Sequence, residues 1–117
     1  MLTIESLKAY GANTDEGMKR CMNMEPFYLK IVGMVKDDVD GDFDRLKRAM
    51  IARNTREAFE AAHALKGSTG NTALTPIFKP ACALSDMLKG HTDAEMGPEC
   101  DQLASEVLYQ HERLKAL

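Results

Sequence analysis

Residues 60–71 read EAAHALKGSTGN, and this stretch decides the fold. Alanine and leucine are strong helix formers, so the segment reads as helix. Yet Gly67 and Gly70 sit one and two turns behind His63. Glycine inside a helix costs about 1 kcal/mol against alanine, so something other than helix stability selects it here. The apolar stripe Ala58, Ala62, Leu65, Thr69 and Thr72 advances by four, three, four and three residues. That is the period of one buried helical face over about 55–72, with Asn54 or Thr55 as its cap.

Working outward, Thr75 and Pro76 read as an N-cap and first-turn pair for a helix over about 75–89, with Ile77, Ala81, Leu84 and Leu88 inward. Pro80 falls inside it, so the helix is either kinked there or regular only from that point. A loop, GHTDAEMGP, separates it from a last helix over about 98–116 carrying Cys100, Leu103, Val107 and Leu114. Upstream, Phe43, Leu46 and Met50 mark a helix over about 42–53, capped by Asp42 after a charged loop KDDVDGD. Before it, Thr3 and Gly11 bracket a short helix and Thr14 caps a second. Asn23 caps a third with Phe27, Ile31 and Val35 inward. The expectation is an all-α, antiparallel up-down four-helix bundle with short N-terminal capping helices, one domain over 1–117.

The chain of 117 residues is 44% hydrophobic and 28% charged, with eight methionines and no tryptophan, a balance that suits helices packed on aliphatic side chains. A net charge of −3 without a basic face argues against a nucleic-acid module. Cys21, Cys82 and Cys100 form no CxxC pair and read as small buried hydrophobes in a reducing compartment. No signal peptide or membrane span is legible, so a cytoplasmic location is expected. The acidic loop fails as a calcium site, because Lys36 and Lys47 fall on ligand positions when Gly41 is aligned with the turn glycine. His91 and His111 read as surface histidines.

His63 differs through its neighbours. Lys66, Gly67 and Gly70 share its helical face, beside rather than on the core stripe. An outward imidazole, a cation one turn away and two positions without side chains describe a docking spot for another protein. A lone histidine on an amphipathic helix is commonly only a surface residue, and helical glycines also serve close packing. The combination points beyond that.

AHALKGSTGN resembles the signature of the histidine-containing phosphotransfer (HPt) domain, and IESLKAYGANTDEGMKRCMNMEPFYLKIVGMV is similar to that family's N-terminal section. The resemblance implies a four-helix bundle and a phosphorelay carrier of two-component signal transduction, not an enzyme. His63 would be the phosphoryl acceptor through Nε2, Lys66 would steady the phosphoryl oxygens, and Gly67 would leave room for the partner. Docking would use Phe59, Gly67, Gly70 and Asn71, with Ser85 on the next helix. Phe59 has a second, equal reading as a core residue.

The implied partners are a response-regulator receiver domain, a hybrid histidine kinase, or both. The receiver would bring its own aspartate and Mg²⁺, so the chain itself needs no cofactor or metal, and a monomer is expected. The chain has Ala73 where members often carry glycine, Ser85 where they often carry a Glu or Gln that bonds the imidazole, and an unusual Pro80. Ser85 keeps open a second reading, a helical adaptor that docks a receiver or kinase without being phosphorylated. A metal site at His63 lacks a second ligand at i+3 or i+4.

Overall fold

The structure, a computed structural model, describes residues 2–38, 40–90 and 96–117. All regular structure among them is helical: α1 (Ile4–Tyr10), α2 (Thr14–Arg20), α3 (Glu25–Asp38), α4 (Asp40–Ala52), α5 (Thr55–Asn71), α6 (Thr75–Leu88) and α7 (Pro98–Lys115). The last four match the expected segments within about two residues. α4 packs on α5 and α7, and α6 packs on α5 and α7, so the four close a ring around the core. Phe43, at the start of α4, stacks on His111 near the end of α7, with centroids 3.6 Å apart. Arg53, just past the end of α4, donates to Asp101 at the start of α7 with a 2.9 Å Nη2 contact.

Local chemistry sets most boundaries. Thr3 and Ser6 form a reciprocal capping box, each side-chain oxygen 2.9 Å from the other's backbone nitrogen. Gly11 ends α1 at φ 110°, a conformation open to glycine. Asn54 caps α5, its Oδ1 accepting from the Glu57 amide at 3.1 Å. Ala58, Ala62, Leu65, Thr69 and Thr72 are all buried, as their spacing requires.

Several expectations need correction. Asn13, not Thr14, caps α2, because its Oδ1 reaches the Glu16 amide at 3.2 Å while Thr14 is buried. The third N-terminal helix is no short cap. It has 14 residues and buries Tyr28 and Val32, leaving Phe27 46% exposed. The cause lies on α2: a Cβ on Gly17 would sit 2.4 Å from the Tyr28 ring, so the missing side chain is the seat of that tyrosine. The Tyr28 hydroxyl then donates to the Thr72 carbonyl at 2.9 Å.

The charged loop expected over 36–42 is helical on both sides of residue 39, which lies outside the described residues. Asp42 falls within the first turn of α4 rather than capping it, and a carboxylate there suits the helix dipole. Thr75 is the first helical residue of α6 and Leu74 takes the cap position without a side-chain bond. α6 runs unbroken through Pro80, so of the two readings the one starting at Pro80 fails. His111 is buried, not on the surface; His91 and most of its loop lie outside the described residues. Cys21 and Cys100 are buried and Cys82 is half-buried, all three as free thiols.

Candidate functional site

α5 carries the candidate site on the side opposite its buried stripe. Ala62 and Leu65 are fully buried, which turns His63 between them outward and exposes it. Phe59, one turn earlier, is half-buried and packed against the core. Its ring lies over the imidazole at 5.7 Å between centroids and 17° between planes. The core reading of Phe59 therefore holds, and its ring also stacks on the histidine. No described side chain hydrogen-bonds the His63 ring.

Toward the C-terminal end of α5, Lys66 is half-buried, while Gly67 and Asn71 are exposed. The two glycines separate sharply. The space a Cβ would occupy on Gly67 has no atom within 4 Å, leaving open surface one turn from His63. On Gly70 a Cβ would meet Phe78 Cε1 of α6 at 2.9 Å. Helix packing thus accounts for Gly70, although it was expected to serve docking. Ser85 is also misplaced in the docking set: it is only 3% exposed, sealed within the α6 face.

Charge gathers on the other side. Arg45 of α4 donates through Nε to Glu57 at 2.7 Å and through Nη2 to Glu60, and Arg56 Nε lies 3.3 Å from Glu60. The hydrogen bond from Arg45 holds the Glu57 carboxyl below the usual carboxylate range. Glu60 stands three residues before His63. At the far end, Arg20 donates to the Gly70 carbonyl. Sequence reading missed Arg45, Arg20 and Phe78, because each reaches α5 from another helix and no local spacing reveals it. Among the described residues no three metal-binding side chains converge, and no helix is long and apolar enough to cross a membrane.

The Hpt domain family model matches residues 30–116. The chain belongs to the Hpt domain family. No curated protein and no solved structure matches it. Hpt domains are phosphotransfer carriers of phosphorelays, generally not catalytic enzymes, and typically work with receiver domains and kinases. The Hpt match spans α4 to α7 and most of α3, and it holds His63 at the middle of its second complete helix. α1, α2 and the first turn of α3 precede it.

Proposed function

We propose that this Hpt domain is a histidine phosphotransfer protein, with His63 as acceptor and a receiver-domain aspartate or a histidine kinase as exchange partner. One observation carries the reading: an exposed imidazole, stacked on Phe59, stands beside the open surface of Gly67. In the forward step the Nε2 lone pair forms the P–N bond as the P–O bond of the partner's aspartyl phosphate breaks. The electron pair leaves with the aspartate carboxylate, and the imidazole keeps its proton on Nδ1 until solvent takes it. The neutral ring is the nucleophile.

Such transfer is positioning plus neutralisation of charge on the equatorial oxygens. The partner supplies the aspartate and Mg²⁺; this chain supplies the ring, the Lys66 cation and access. Lys66 pairs with the transferred phosphoryl group, and Phe59, Gly67 and Asn71 meet the partner. The reading includes an antiparallel four-helix bundle, supported by the end-to-start pairing of α4 with α7. It also includes a monomeric, cytoplasmic protein.

The test is phosphotransfer from phosphorylated receiver domains of the same source, run beside His63→Ala. Label that is acid-labile, alkali-stable and absent from the variant is expected. Retained receiver binding without any label would replace this reading with the docking-only adaptor.

A further inference from the structure

Residues three apart on a helix lie about 5–6 Å from each other between Cβ atoms. Glu60 and His63 are such a pair, so a carboxylate is built into the turn where a phosphoryl group would arrive. A phosphoryl group brings about −1.5 to −2 charges at neutral pH, and a free neighbouring carboxylate would repel it. Glu60 is not free. Arg45 holds it across the α4–α5 seam while also holding Glu57 at 2.7 Å, and Arg56 approaches it from one turn earlier at 3.3 Å. Two guanidinium groups balance two carboxylates.

The Arg45, Glu57, Glu60 and Arg56 side chains are 36%, 44%, 40% and 87% exposed, so solvent screens what each pair adds to folding, although a network adds more than an isolated pair. What the network does control is where the Glu60 carboxylate points and whether its charge is answered.

We infer that Arg45 is a positioning residue for phosphotransfer: it clamps the Glu60 carboxylate against α4, so that the turn before His63 is electrically neutral when the phosphoryl group is present. The inference rests on the phosphotransfer reading above and adds a second side to the site. Lys66 answers charge after His63, and Arg45 cancels charge before it. A lysine would bring one compact charge in place of the rigid fork whose Nε and Nη2 reach Glu57 and Glu60 from separate nitrogens.

The test measures the equilibrium share of label between a receiver aspartate and His63, in low salt, for wild type, Arg45→Gln, Arg56→Gln and Arg45→Gln/Glu60→Gln. Arg45→Gln is expected to move the equilibrium away from His63 by about fivefold, the scale of one unscreened surface charge. Arg56→Gln, at a site too exposed to affect folding, should move it the same way by less. The double variant should return to the wild-type share, and the shift should shrink as salt rises. An Arg45→Gln share equal to wild type overturns the clamp, as does a loss that Glu60→Gln does not rescue. A wild type that never takes label overturns the phosphotransfer reading itself, and the clamp with it.

Discussion

Gly67 and Gly70 occupy one face of one helix, yet they answer different demands. Alanine at the open position 67 should raise stability by about 1 kcal/mol through helix propensity alone, read as a higher Tm. The same change at 70 must push Phe78 aside. Overpacking costs about 1–3 kcal/mol, enough to offset or exceed the helical gain, so the Gly70→Ala Tm should not rise. Gly67→Gln should instead leave a folded protein that no longer takes phosphoryl groups; normal transfer by that variant would remove Gly67 from the interface. Ala73 shows the converse. It sits at φ 57° in the α5–α6 turn, where an L residue is strained by about 1–2 kcal/mol. Ala73→Gly should therefore gain up to about 1 kcal/mol in denaturant melts, after glycine's extra chain entropy is deducted. At this scale the exposure of His63 and Gly67 was legible, because helical spacing sets both off the buried stripe. Gly70 and Ser85 were not, since their surroundings belong to α6.

Helices α4 to α7 were legible as elements because each carries an apolar stripe at the 3.6-residue period, and the last three also have Asn54, Pro76 or Pro98 at their starts. α3 was legible as a helix but only partly in its orientation: Ile31 and Val35 pack against the core as expected, while Phe27 turns outward and Tyr28 and Val32 are buried. Phe27, Ile31, Val35 and Tyr28, Val32 offer two stripes of similar quality one residue apart, and periodicity cannot choose between them. Gly17 makes the choice, a residue on another helix whose missing Cβ admits the Tyr28 ring. Gly17→Ala should consequently cost about 2 kcal/mol, by overpacking against a fully buried ring, and show as a lower urea midpoint. An unchanged midpoint would mean that α3 is oriented by something else. Pro80 illustrates the opposite outcome: propensity argues for a break, but the two α6 neighbours hold the helix together across one missing hydrogen bond.

Across the whole molecule, exposed charge pairs tie one helix to the next. Arg53 holds the Asp101 carboxyl below its ordinary range through hydrogen bonds between α4 and α7. A carboxyl lowered in the folded state adds stability above its unfolded pKa near 4 and loses it as pH falls further. The Tm gap between wild type and Arg53→Met should accordingly be small at neutral pH and close between about pH 4 and pH 2. The N-terminal segment makes a different kind of tie. The Gly70, Thr72 and Ala73 carbonyls accept from Arg20, from the Tyr28 hydroxyl at 2.9 Å and from the Asn13 amide at 2.9 Å. These oxygens lie at and just past the end of α5, where a helix runs out of its regular partners, although Gly70 also accepts from the Ala73 amide at 3.2 Å. Residues 13–28 act as a stopper in the open end of the histidine helix. All three donors come from outside residues 30–116. Loosening the stopper should therefore fray α5 from that end toward Lys66, a change that faster amide exchange over residues 66–72 would report.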